Sequence, residues 1–204
     1  MSNLTHFDLL PIQMDPQSKA LSATHPASRS LTAELDLLNT LHRSLLTLDA
    51  PLTVPPPPVP YNPKRSANIA KLRDNGNSEY KRGKYPEAIK LYTLGLQMAL
   101  TRPLWEPAAL VRDEAAAMLA NRAQAHMALQ GWAEGAVDAE ASVELKKVGN
   151  AKAWWRRGKC LLEMGRLDEA KEWVGRALEV EGEEADLSAL LKDIKGKLEK
   201  SKPF

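Results

Sequence analysis

The stretch "GKCLLEMGRLDEAKEWVGRAL", residues 158–178, decides the fold because it recurs. Laid over "GNSEYKRGKYPEAIKLYTLGL" (76–96) and "AQAHMALQGWAEGAVDAEASV" (123–143), it keeps its small residues in register. Gly76, Ala123 and Gly158 open the three segments, and Gly83, Gly131 and Gly165 follow seven or eight residues later. A bulky residue comes next, at Tyr85, Trp132 and Leu167, and then a second small one, at Ala88, Gly135 and Ala170. Small side chains on two successive amphipathic segments let two helices approach closely, and the glycine between them supplies the turn. The bulky residue is expected to fill the gap between one unit and the next.

Ala123 follows Gly76 by 47 residues and Gly158 follows Ala123 by 35. A period near 34 built of helix, turn and helix is the signature of the tetratricopeptide repeat (TPR). The longer first interval carries about a dozen extra residues around "MALTRPLWEPAALVRDEAA", where Pro103 and Pro107 mark a break after an extended second helix. Beyond the third unit, Leu187, Leu190, Leu191, Ile194 and Leu198 form a helical stripe with a lysine-rich opposite face, as a solubilising cap requires. The expected fold class is all-α: three helix–turn–helix repeats plus a C-terminal capping helix, over 66–204.

Seven of the 14 prolines lie in "PLTVPPPPVPYNP", a density that forbids helix and favours an extended spacer. Residues 50–65 are therefore read as a proline-rich linker and 1–49 as a small N-terminal partner-docking domain. Within the latter, Leu31, Leu35, Leu38, Leu41, Leu45 and Leu48 recur at helical spacing, with Ser30 as the N-cap. Upstream, two short strands are expected around Asp15-Pro16-Gln17-Ser18. About 50 residues with one helix and a hairpin make a thin core, so the leucine stripe calls for a partner surface.

The composition narrows the function. Lys+Arg 28 against Asp+Glu 26 is too balanced for general nucleic-acid binding. The start "MSNLTHFDLLPIQMD" shows no signal-peptide pattern, and no apolar run approaches the ~20 residues of a membrane span. Direct membrane insertion is not expected. The lone Cys160 fits a reducing compartment and a small inward-facing repeat position. His6, His25, His42 and His126 lack metal-ligand spacing, and no nucleophile motif or phosphate-cradling loop occurs. No catalytic residue, metal site or cofactor is assigned, and an enzyme is not expected.

In stacked repeats of this kind the first helix of each unit lines a concave groove. Those helices are expected over 72–81, 117–127 and 151–161. Their groove-facing polar residues are Arg73 and Asn77, then Asn121, then Lys152 and Arg156. Lys152 and Arg156 lie four apart, and like charges at that spacing repel. Three cations and two amides on one surface suit a compact anion that accepts several hydrogen bonds, a carboxylate being the simplest. Both members of the repelling pair are expected to project into the groove rather than the core. Trp154 is read as repeat packing, Trp155 is left open between packing and ligand contact, and Arg157 and Lys159 are placed in solvent or at the groove rim.

The set "RDNGN" (73–77), "NR" (121–122) and "KAWWR" (152–156) resembles the carboxylate clamp of chaperone-binding TPR domains. That pattern is Lys-x-x-x-Asn, Asn-Arg and Lys-x-x-x-Arg over three repeats; Arg73 departs from it, keeping the charge but changing reach. The resemblance implies binding of the acidic C-terminal tail of Hsp70, or of Hsp90, ending in Glu-Glu-Val-Asp. The small N-terminal domain, proline-rich spacer and "RPLWEP" insertion extend it to the cytosolic TPR subunit of the fungal Sec complex for post-translational translocation. Such a subunit docks on a membrane-anchored Sec partner through its N-terminal region. It lies peripherally on the cytosolic face of the endoplasmic reticulum and receives chaperone-bound precursors there. The alternative is a soluble co-chaperone adaptor with no tie to a membrane complex.

Overall fold

The computed structural model describes residues 12–46, 63–103 and 105–201. Most of the proline-rich segment, Leu48, Leu104 and the last three residues lie outside these. Two compact units divide the chain; the described elements of the first are a hairpin and one helix. β1 (Ile12–Met14) pairs antiparallel with β2 (Leu21–Ala23), Gln13 facing Ser22. The connecting turn is held by Asp15, whose carboxylate accepts from the backbone N–H groups of Gln17 (3.0 Å) and Ser18 (2.6 Å). These bonds, led by those from Ser18, lower the Asp15 pKa.

α1 (Arg29–Leu45) follows. Its N-cap is Ser28, whose hydroxyl accepts from the Leu31 N–H, so Ser30 lies inside the helix rather than capping it. Asn39 fastens α1 to the hairpin by bonding both the N–H and the carbonyl of Leu21, at 2.7 and 2.9 Å. Among the described members of the leucine stripe only Leu35 is buried; Leu38 is exposed, as are its neighbour Leu37 and Leu46 beyond the helix.

The described residues of the second unit form a stack of seven helices: α2 (Pro63–Lys81), α3 (Tyr85–Leu100), α4 (Ala108–Ala128), α5 (Trp132–Leu145), α6 (Ala151–Glu163), α7 (Leu167–Glu181) and α8 (Ala185–Ser201). Consecutive pairs form the three expected repeats and α8 caps them. α2 starts at Pro63, within the expected spacer, because proline is pre-organised for the first turn of a helix. The small residues act as predicted. A Cβ on Gly76 would lie 2.5 Å from the Tyr92 ring, and one on Gly158 2.5 Å from Val174 and 3.0 Å from Leu190. Ala88, Ala123 and Ala170 are fully buried. Cys160 is buried too, and burial, with Glu163 nearby, pushes its thiol up to about 12. Leu187, Leu190 and Ile194 of α8 close the third repeat.

Three expectations need correction. The extra residues of the first interval do not extend α3, which at 16 residues barely exceeds α5 and α7; they lengthen α4 at its N-terminus. The loop before α4 is fastened from within. Arg102, buried, bonds both carboxylate oxygens of Glu114 at 2.8 Å, the Ser66 hydroxyl at 2.8 Å, and Glu106. Burial alone would lower the Arg102 pKa, but the bonds to Glu114 and Glu106 raise it. Second, Tyr85 does not plug an inter-repeat gap: it packs on Tyr80 of its own repeat, ring centroids 5.2 Å apart. The interior bulk comes from Tyr92 and from Trp154 against Trp173, centroids 4.4 Å apart.

Third, the mid-repeat glycines are not equivalent. Gly83 and Gly165 take the left-handed conformation, φ 76° and 75°, but in the second repeat that position falls on Gln130 (φ 59°), while Gly131 has φ −75°. Gln130 lies seven residues after Ala123, as Gly83 does after Gly76, which explains why the second repeat's glycine comes one place late. A left-handed non-glycine residue costs about 1 kcal/mol. Gln130→Gly should therefore raise stability by up to about 1 kcal/mol, seen as a higher denaturant midpoint at unchanged slope.

Candidate functional site

Stacking places α2, α4 and α6 side by side, and their exposed faces line a groove of about 1150 Å³. Arg73 and Asn77 come from α2, Asn121 from α4, and Lys152 and Arg156 from α6, so all five anticipated residues reach one surface. Spacing within a helix explains this locally: positions four apart share a face. The distribution over three helices depends on the repeat register, which carries corresponding positions onto the same side of the stack.

The five residues are not equivalent. Lys152 is exposed and makes no hydrogen bond or ion pair among the described residues. Arg73 is part-exposed and turns back on its neighbour Asp74 at 3.4 Å. The carbonyl oxygen of Asn77 accepts from the Tyr92 hydroxyl at 2.8 Å and from the Asn121 amide at 3.1 Å. That fixes the Asn77 side chain and leaves its NH2 group to donate into the groove. Burial pushes the Tyr92 hydroxyl up to about 12, so it stays a proton donor to Asn77 at neutral pH.

Arg156 departs from expectation. Rather than projecting freely, it is only 8% exposed and forms part of the groove floor. Its guanidinium donates to the Ala120 carbonyl at 2.8 Å and to Gln124 Oε1 at 2.6 Å, tying the third repeat to the second. Both partners are neutral. Burial is the largest influence on the group and lowers its pKa, only partly offset by Tyr80 and Tyr92. A buried cation held by dipoles alone, with no carboxylate, is under-compensated and favours an arriving anion.

Neighbouring residues sort themselves by the same contacts. Arg122, beside Asn121, is held by Asp138 through two 2.7 Å bonds and by Thr93 at 3.0 Å, so it braces helices rather than lining the groove. The Asp138 bonds raise its pKa. Trp154 is a packing residue, its indole N–H bonded to the Lys147 carbonyl at 2.9 Å. Trp155, left open by the sequence, lines the groove. Arg157 is neither solvated nor at the rim: it lies 4.1 Å from the Trp173 ring centroid and pairs with Glu140. Lys159 pairs with Glu163 at 2.6 Å. Sequence reasoning missed Gln124, one turn beyond Asn121, because nothing in its spacing shows that it receives an arginine from 32 residues away.

The groove also holds acids that sequence reading did not place there: Asp74, Glu181, Glu184 and Asp186. Glu181 accepts the N–H groups of Gly149 (2.9 Å) and Asn150 (2.7 Å) at the start of α6, where the helix dipole favours a negative charge. Among the described residues no group of three His, Cys, Asp or Glu side chains could hold a metal ion. No helix among them is long and apolar enough to cross a membrane.

Three sets of comparisons bear on this geometry. The tetratricopeptide repeat family model matches residues 151–183. The "ER protein translocation subcomplex subunit sec67" of Schizosaccharomyces pombe is 41% identical over 146 residues, 69% of this chain and 76% of that one. A chain of the cryo-EM structure of the Sec complex from S. cerevisiae superposes with TM-score 0.70, covering 94% of this chain and all of its own at 24% identity, a likeness of fold. RNA polymerase II-associated protein 3 (RPAP3) matches through two TPR domains. The first, bound to the HSP90 peptide SRMEEVD, is 29% identical at TM-score 0.55, over 66% of this chain and 95% of the other. The second, from the human protein in complex with the HSP70 peptide SGPTIEEVD, is 30% identical at TM-score 0.52, over 64% and 98%. This chain spans only 14% of full-length human RPAP3.

Arg156→Met tests the buried cation. It keeps volume and removes the under-compensated charge, so the denaturant midpoint should rise, by about 1 kcal/mol of stability. A fall of similar size would mean that the bonds to Ala120 and Gln124 outweigh the desolvation of the guanidinium.

Proposed function

Because this chain belongs to the family of the ER protein translocation subcomplex subunit sec67, we propose that it is a non-catalytic adaptor within that translocation machinery. Its groove takes the acidic C-terminal tail of cytosolic Hsp70 or Hsp90 and so brings chaperone-bound precursors to the Sec complex. The observation that carries this reading is Arg156: a guanidinium 8% exposed, held only by neutral acceptors, in a groove shared with Lys152, Arg73, Asn77 and Asn121. A terminal carboxylate supplies what the Arg156 guanidinium lacks, a negatively charged partner with several lone pairs. The RPAP3 domains that bind such tails support it at the level of likeness.

A tail peptide should bind in the micromolar range, about −7 to −8 kcal/mol, since a few contacts must offset the ordering of a flexible chain. Amidating its C-terminus should cost roughly 2 kcal/mol by leaving groove donors unpaired, and Lys152→Ala should weaken binding without lowering the melting temperature. Calorimetry with acid and amide forms decides the point; equal affinities would remove the clamp.

The same reading assigns the N-terminal unit to docking on a membrane-anchored Sec subunit, which makes the protein peripheral on the cytosolic face of the endoplasmic reticulum. Ile12, Met14, Leu37, Leu38 and Leu46 are between 42% and 68% exposed in a unit with one buried leucine among its described residues, an apolar surface that a partner would cover. Deleting residues 1–49 should release the protein from microsomes and leave tail-peptide affinity unchanged, since among the described residues none of that stretch lines the groove. Retention on the membrane would move the docking site into the repeats and favour a search around Pro103 and Pro107.

A further inference from the structure

The groove's charge does not suit a uniformly acidic ligand. Arg73, Lys152 and Arg156 are opposed by four carboxylates, Asp74, Glu181, Glu184 and Asp186. A tail ending Glu-Glu-Val-Asp with a free terminus brings about four more negative charges at neutral pH. Such a ligand is attracted only if the two signs in the groove act on different parts of it.

They come from different elements of the fold. The cations and amides come from α2, α4 and α6, whereas Glu184 and Asp186 come from the turn between α7 and α8 and the first turn of α8. Two of the four acids are already engaged: Asp74 by Arg73, and Glu181 by the two N–H groups at the start of α6. The side chains of Glu184 and Asp186 are exposed and make no hydrogen bond or ion pair among the described residues. They are the open acceptors of a groove whose opposite charge is the buried Arg156.

We propose that the groove selects a dipolar tail, in which the acidic C-terminal residues on the Arg73, Lys152 and Arg156 set are preceded by a lysine or arginine that meets Glu184 and Asp186. This rests on the carboxylate-binding reading above and adds the upstream specificity to it. An acidic residue in the upstream position faces two like charges and is rejected; a neutral one is tolerated. At an exposed corner attraction and repulsion are each weak, so the discrimination comes from their sum, the difference between a basic and an acidic residue at that position.

The test uses the full chain and three peptides titrated calorimetrically at low salt: SRMEEVD, SLMEEVD and SEMEEVD. The arginine peptide should bind tightest and the glutamate peptide weakest, about tenfold apart, with the gap shrinking as salt rises. In the double variant Glu184→Lys/Asp186→Lys the order should invert, and in Glu184→Gln/Asp186→Asn it should flatten. Amidated SRMEEVD separates the two readings. If amide and acid bind the native chain alike, the carboxylate clamp itself falls. If the acid is required but the order of the three peptides is the same in the native chain and both variants, the upstream selection alone is overturned.

Discussion

Gly158 has no room for a side chain, and that constraint organises the repeats. With Val174 and Leu190 at 2.5 and 3.0 Å from where a Cβ would stand, α6 is pressed against both α7 and α8. Gly76 against Tyr92 does the same for α2 and α3, and Gly135 against Cys160 and the Ala123 carbonyl for α5 between its neighbours. Close approach joins the two helices of each repeat, and similar units stack one on the next. The groove lies on the side of α2, α4 and α6.

A cavity made this way inherits rigid walls, which bears on how it handles charge. Arg156 is held by a helix carbonyl and by Gln124, and Asn77 by Tyr92 and Asn121, so these donors are oriented before any ligand arrives. Pre-ordering lowers the entropy cost of binding a flexible peptide. The energetic counterpart is a buried cation whose hydrogen-bond acceptors among the described residues are both neutral. Arg122, one residue from Asn121, shows the opposite solution: its charge is met by Asp138 inside the stack, and it braces rather than binds.

The insertion between the first two repeats shows how buried polar groups can do the work of an apolar core. Arg102 gathers Glu106, Glu114 and Ser66 around one guanidinium and so joins the loop to α2 and α4. Its planar fork bonds four acceptor oxygens at once, more than the three N–H groups of a lysine could serve. In the N-terminal unit, where one leucine is buried among the described residues, Asn39 serves a similar end by continuing the pairing of β2 onto a helix.

Periodicity and residue size were legible in the sequence because they are local. The 3.6-residue repeat, the small residues of each unit and the helical stripe of α8 follow from spacing along one chain segment, and so did the five polar residues now lining the groove. What sequence could not supply were relations across 30 residues or more. Gln124 reaches Arg156 from another repeat, and Glu184 and Asp186 share a groove with Arg73 from the far end of the stack. The left-handed Gln130 was hidden by the glycine beside it. Burial of Arg156 and its engagement by neutral carbonyls depend on which helices become neighbours and how closely, and helix packing alone decided that.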